Sequence, residues 1–208
     1  MQPSMQSRIH AQAGIAIGPI LFIIAILAIL ATAIAAGSST FATNSSQETN
    51  RTNAAAMIQI GQNLKMGVDR IYSLGTALAS VDINASNTST NNALFAPTGG
   101  GLVPPAVSLS NDPTSDTWIY TWGAIPNLGS SSVERLAILK VTQGVCDQVD
   151  VQAANLANAP SGNLGNFNAT TNLTTTNWPA GLNGKMIGCF NNGSGTTGYF
   201  FYQVLGVQ

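Results

Sequence analysis

The chain has 208 residues, of which 45% are hydrophobic and only 7% charged, and its formal net charge is −1. This near-neutral balance excludes the basic patch of a nucleic-acid-binding protein, so we predict no nucleic acid partner. The length is sufficient for one domain of ordinary size in addition to a terminal segment.

The N-terminal part contains an uncharged apolar run, Ile15–Ala36, after a short head that carries Arg8 and His10 and no acid. A helix needs about 20 residues to cross the roughly 30 Å hydrocarbon core of a bilayer. The run therefore predicts a transmembrane helix, with the positive head on the cytoplasmic side and the chain from Gly37 outside. Two other uses stay open: a permanent single-pass anchor, and a secretory signal peptide cut near Ala33.

A second pattern begins near residue 53, where apolar residues recur at steps of three and four. This spacing puts them on one face of a helix that extends to about Val81. We expect this helix to pack on a sheet of the same chain rather than on a partner helix. Gly61, Gly67 and Gly75 either weaken this helix or let another backbone approach closely. The apolar face consists of Met57, Ile60, Leu64, Val68, Ile71, Leu74, Leu78 and Val81.

The remaining chain predicts a β-rich domain. Residues 84–105 contain three consecutive glycines and a Pro-Pro pair, which is typical of a linker. Strands are predicted at 117–122, 133–142, 185–191 and 199–207, with a helix at 145–158, a loop at 163–177 and a hairpin connection at 192–195. Residues 134–140 are also compatible with a helix. Aromatic residues alternate along these strands, so about half of them should be exposed. The predicted fold class is α+β, a long N-terminal helix packed on an antiparallel sheet of about four strands.

Two cysteines, Cys146 and Cys189, fall in the predicted β-rich domain. In an oxidising compartment they predict one disulfide that closes a loop of about 40 residues, although two buried free thiols remain the alternative. Neither cysteine has a CxxC partner and the single histidine lies in the head. The residues therefore predict neither a structural zinc site nor a Cys–His nucleophile.

No set of residues predicts catalysis. The chain has no Ser–His–Asp set, and Gly99–Gly101 lacks the strand–helix context of a phosphate-binding loop. Asp112 and Asp116 favour a turn with an Asx cap over a calcium loop, while Asp147 and Asp150 are expected to be solvated. We therefore predict that the protein is not an enzyme and has no metal and no cofactor.

The order of these parts resembles the type IV pilin and pseudopilin superfamily: a short polar head ending in Gly14, an apolar span, an amphipathic helix, a linker and a small β domain with two late cysteines. The resemblance implies that a prepilin peptidase removes a leader, residues 1–14, by cutting between Gly14 and Ile15. The helix at 15–36 then becomes a filament core, continued by residues 37–83 and followed by the β-rich domain at 84–208. The implied filament-core residues are Ile15, Pro19, Phe22, Ile26 and Leu30.

The function that this resemblance implies is that of a structural subunit of a type IV pilus-like filament at the cell surface. The implied partners are copies of the chain itself, the pilus assembly machinery and, before assembly, the inner membrane. Pro19 stands at the fifth mature position, where family members usually carry Glu, and the basic residue nearest the cut is Arg8; this fits a divergent pilin or a minor subunit. The alternatives are a membrane-anchored or secreted monomeric binding ectodomain, and a virion or envelope surface protein.

Overall fold

The computed structural model describes residues 17–115, 117–129, 134–168, 171, 173 and 177–207. The chain divides into two compact units, residues 1–45 and residues 46–208. The regular elements are α1 (Ile17–Ser73), β1 (Ile119–Gly123), β2 (Glu134–Val141), α2 (Gln143–Val149), β3 (Ser161–Gly162), β4 (Ile187–Asn192) and β5 (Gly198–Gly206). A turn of π-helix at Asp150–Ala154 continues α2.

Helix α1 ends at Ser73, before the predicted end at Val81. The helix stops because Gly75 adopts a left-handed conformation with φ of 92°, and the N–H groups of Gly75 and Thr76 close the last turn on the carbonyls of Tyr72 and Ile71. The prediction of helix up to Val81 is therefore wrong. Leu78 and Val81 are nevertheless buried, because a short 3-10 turn at Leu78–Ser80 brings them to the core.

The strands form one sheet in the order β1-β2-β5-β4-β3. Strands β1, β2, β5 and β4 pair antiparallel, and β3 pairs parallel to β4. The sheet confirms an α+β fold with mainly antiparallel pairing, and β4 and β5 form the predicted hairpin. Strand β3 is too short, at two residues, to give a periodic signal in the sequence.

Both faces of the sheet are covered. One face packs on the second half of α1, through Phe201 and Leu205 among others. The other face packs on the segments around Leu164, Phe167 and Trp178. Because β5 has buried residues on both faces, the expectation that about half of the strand aromatics are exposed is wrong. Trp118, Tyr120, Phe200, Phe201 and Tyr202 are all buried.

The segment predicted as a linker is part of the core instead. Leu94 and Phe95 are buried, and Asp82 forms a parallel bridge with Ala93. Gly100 lies so close to the Leu94 carbonyl that a side chain there would overlap it. The glycines therefore permit a tight fold of the backbone and do not provide a flexible connection.

Candidate functional site

The first described turns of α1 present apolar side chains on all sides. Every residue from Ile20 to Thr32 is exposed, and the exposed fractions of Phe22, Ile26 and Leu30 are 67%, 41% and 52%. The hydroxyl of Thr32 donates to the Ile29 carbonyl at 2.8 Å, so this stretch offers no free polar group of its own. A helix that is apolar all round belongs against other apolar surface rather than in water. We call residues 20–32 the apolar stretch.

Several predicted residues fall on or near the apolar stretch. Phe22, Ile26 and Leu30 lie within it, and Pro19 lies in the first turn of α1, where a helix tolerates proline. Ile15 and the predicted cleavage site at Gly14 lie outside the described residues, as does the rest of the leader. Within the described part of the chain, no helix is long and apolar enough to cross a membrane.

The second half of α1 packs on the sheet of its own unit. Met57, Leu64, Val68 and Ile71 are at most 2% exposed, which confirms that most of the predicted apolar face packs within the chain. Leu74, which was predicted to belong to the same face, is 62% exposed. The helix approaches the sheet closely at Gly61, where a Cβ atom would lie 2.8 Å from Gln203 Oε1 and 3.1 Å from the Phe201 ring. A glycine at this point therefore lets the helix lie close to β5.

The predicted disulfide is present between Cys146 on α2 and Cys189 on β4. The Cα atoms lie 5.3 Å apart, and both residues are fully buried. The bond links the short helix to the sheet across a sequence separation of 43 residues. It therefore fixes α2 directly to β4.

Asp150, immediately after α2, is a buried acid, so the expectation that it is solvated is wrong. Its Oδ1 atom accepts a hydrogen bond from the Cys189 N–H at 2.7 Å, while its Oδ2 atom is buried and has no hydrogen-bond partner in the described part of the chain. Burial, followed by the nearby charge of Asp147, raises the pKa of Asp150 to about 7 although the Cys189 hydrogen bond lowers it. The site can therefore hold or release a proton near neutral pH.

Glu134, at the start of β2, is a second buried acid. Its carboxylate accepts a hydrogen bond from the Ile125 N–H at 2.8 Å, and burial raises its pKa above the ordinary range. Sequence reasoning expected Asp150 to be solvated and did not single out Glu134. The available signal was an acid placed next to apolar residues in a predicted strand or helix, as in Val149-Asp150-Val151, which indicates a polar group that tertiary packing encloses.

The residues considered as a calcium loop form a turn. Asp112 accepts hydrogen bonds at Oδ1 from the Thr114 N–H at 2.8 Å and from the Thr114 hydroxyl at 2.6 Å. This confirms an Asx-type cap at Asp112, while Asp116 lies outside the described residues. Among the described residues, no three His, Cys, Asp or Glu side chains come together as a possible metal site.

No family model, no curated protein and no solved structure matches this chain.

Proposed function

We propose that this chain is a structural subunit, a pilin or pseudopilin, of a type IV pilus-like filament. The observation that carries the proposal is the apolar stretch, in which thirteen consecutive residues from Ile20 to Thr32 are exposed. Removing apolar surface from water gains about 25 cal/mol per Å². Side-by-side packing of many copies of this helix provides an apolar environment for all of its faces at once.

The composition of the apolar stretch suits packing between helices. Ala25, Ala28 and Ala31 recur at steps of three among the larger Ile and Leu side chains. Small residues let neighbouring helix backbones come close. The absence of charge in the stretch also removes the electrostatic cost of bringing identical helices together, so copies of the chain are suitable partners for one another.

The second unit supports the same proposal through its own packing. It buries its part of α1 against β5 and ties α2 to β4 with the Cys146–Cys189 disulfide. A subunit whose globular part is stable in this way can be carried on a filament outside the cytoplasm, where disulfides persist. Processing between Gly14 and Ile15, extraction from the inner membrane and bundling of the helices at 15–36 complete the proposed mechanism.

The first test is the intact mass of the protein purified from its native host. The filament proposal expects a mature chain that begins at Ile15. Retention of Met1 indicates a permanent anchor instead, and a start near Ala36 indicates a cleaved signal peptide. Either of these two results contradicts the proposal.

The second test compares two aspartate substitutions in the native host, with filaments counted by electron microscopy. Leu27→Asp places a charge in the apolar stretch, where the side chain is 59% exposed, and should abolish filaments while subunit levels stay the same. Val103→Asp is the matched control, because Val103 is 84% exposed but lies in the second unit, and it should leave filaments intact. Filaments of normal number and length with Leu27→Asp would contradict the proposal.

A further inference from the structure

The edge of the sheet at β1 carries a cleft of about 620 Å³ that none of the features above uses. Its volume lies in the range of about 300–1,000 Å³ that is typical of small-molecule sites. The walls come from β1 and β2 and from two loops, at residues 82–86 and 104–107. The side chains that matter for its chemistry are those of Asp82, Trp118, Tyr120 and Arg135.

Arg135 places a fixed positive charge in the wall of the cleft. Its guanidinium lies over the ring of Trp122, 3.7 Å from the ring centroid, and its Nη2 atom donates to the Val81 carbonyl at 2.6 Å. These two contacts hold the group in one orientation without neutralising it. Within the described part of the chain, ion pairs within 4.0 Å form only between Arg51 and Glu48 and between Lys65 and Asp69.

The acid whose charge acts on Arg135, Asp82, is hydrogen-bonded within its own loop. Asp82 accepts a hydrogen bond from the Asn84 N–H at 2.9 Å and another from the Asn87 amide at 2.6 Å. Burial lowers the pKa of Arg135 to about 10, and the charge of Asp82 opposes this shift without direct contact. The guanidinium therefore stays charged at neutral pH and has no carboxylate in direct contact.

The wall of the cleft also contains hydrogen-bond donors without acceptors. Trp118 Nε1, Tyr120 Oη and Arg135 Nε are buried and have no hydrogen-bond partner among the described residues. Buried polar atoms without a partner are uncommon in folded proteins and call for an explanation. Here all three belong to residues that line one cleft, and all three can donate, so an acceptor is the kind of group that would satisfy them.

We propose that this cleft binds a small ligand through a carboxylate group. A carboxylate supplies two acceptor oxygens and the negative charge that Arg135 lacks. The ring of Trp118 or Tyr120 forms the apolar wall against which the body of the ligand packs. Because the donor atoms of Trp118 and Tyr120 are buried in the free protein, the proposal requires these two side chains to turn toward the ligand when it binds.

Two sources of such a carboxylate are an acidic sugar and the C-terminus of a peptide. Glucuronate and N-acetylalanine are the two probes, and glucose and N-acetylalanine amide are their neutral counterparts. Binding to the full-length protein in mild detergent is measured by titration calorimetry. The proposal expects saturable binding of at least one acid and binding at least tenfold weaker for its neutral counterpart. Preference for one acid over the other identifies the source.

Two variants separate binding from folding. Tyr120→Phe removes only the unpartnered hydroxyl, so it should weaken acid binding at least fivefold with an unchanged or higher melting temperature. Tyr72→Phe is the matched control, since Tyr72 is 64% exposed outside the cleft, and it should change neither. Arg135→Gln should abolish binding, with the melting curve recorded to show that the chain still folds.

Three results would overturn the proposal: no saturable binding of either acid, equal binding of an acid and its neutral counterpart, or unchanged binding by Tyr120→Phe. None of these measurements depends on filament assembly. Failure here therefore leaves the filament proposal untouched, and loss of filaments leaves this one untouched.

Discussion

The carboxylate of Asp150 accepts a hydrogen bond from the backbone N–H of Cys189 at 2.7 Å, so a buried acid is held directly against the disulfide-bonded strand. Burial is the main reason that the pKa of this acid rises from 3.8 to about 7. Between these two values the folded chain keeps a proton that the unfolded chain releases. The free energy of unfolding should therefore fall as the pH rises through this window, and then level off above about pH 7.

Asp150→Asn should remove this pH dependence. The asparagine keeps an oxygen that can accept the Cys189 N–H but does not titrate. The wild type should lose at most about 1.4 kcal/mol of unfolding free energy per pH unit from this group, and the variant should lose correspondingly less. Chemical denaturation between about pH 4 and about pH 8 measures both. Asp69→Asn, which changes an exposed acid on α1, is measured beside them as the control for loss of one carboxylate. Equal slopes for Asp150→Asn and the wild type would contradict the assignment.

The disulfide should contribute a large share of the stability of the second unit. On the chain-entropy model, closing a loop of about 40 residues stabilises the folded chain by about 3–4 kcal/mol. The paired variant Cys146→Ser, Cys189→Ser should lose about that much in oxidising conditions, measured by denaturant unfolding. The same variant should match the reduced wild type within about 1 kcal/mol. A wild type whose unfolding midpoint does not move on reduction would show that the bond contributes little.

Local pattern was enough to predict the secondary structure of most of the second unit. The three-and-four spacing of Met57, Leu64, Val68 and Ile71 indicated the buried face of α1, because a helix on a sheet must bury one stripe. The β-branched and aromatic run at 117–122 likewise indicated β1. Two cysteines in the predicted β-rich domain were sufficient for the disulfide. Each of these signals lies within a short stretch of sequence or a pair of residues, and each agrees with the burial or pairing found in the tertiary structure.

The end of α1 was missed because of a local feature, the left-handed Gly75, whereas the other errors come from contacts between distant segments. Composition suggested a linker at 84–105, but Leu94 and Phe95 find their partners on α1 and the sheet. Asp150 was expected to be solvated because most acidic side chains are. Only the tertiary fold buries it against the backbone N–H of Cys189. The cleft lined by Trp118 and Arg135 joins β1 and β2 to two loops, a combination that no local pattern contains. The hypothesis of a cleavage site at Gly14 stays a prediction.

Asn192 should be essential for the hairpin between β4 and β5. It is 1% exposed, its Oδ1 atom accepts the Leu164 N–H at 2.8 Å, and its Nδ2 atom lies within hydrogen-bond distance of the carbonyls of Gly165, Ser194 and Thr196. Asn192→Ala leaves several of these buried groups without a partner. Each costs about 1–3 kcal/mol, so we expect a total loss of at least about 3 kcal/mol in denaturant unfolding.

The neighbouring asparagine is the control for this substitution. Asn191 lies on the same strand but is only partly buried, and Asn191→Ala should cost less than about 1 kcal/mol. Equal losses for the two variants would mean that the side-chain hydrogen bonds of Asn192 are not what stabilises the hairpin.

Gly100→Ala tests whether residues 84–105 are folded or flexible. A Cβ atom at this position would overlap the backbone of Leu94, including its carbonyl oxygen, and backbone yields less readily than the end of a long side chain. Overpacking of this kind typically costs about 1–3 kcal/mol, so the denaturation midpoint should fall clearly below that of the wild type. Gly193→Ala is the matched control, because the nearest atom to its Cβ would be the Gly162 carbonyl oxygen at 3.6 Å, an ordinary contact. A flexible segment would absorb the methyl group at either position, so indistinguishable midpoints for the two variants would show that the segment around Leu94 is not packed as described.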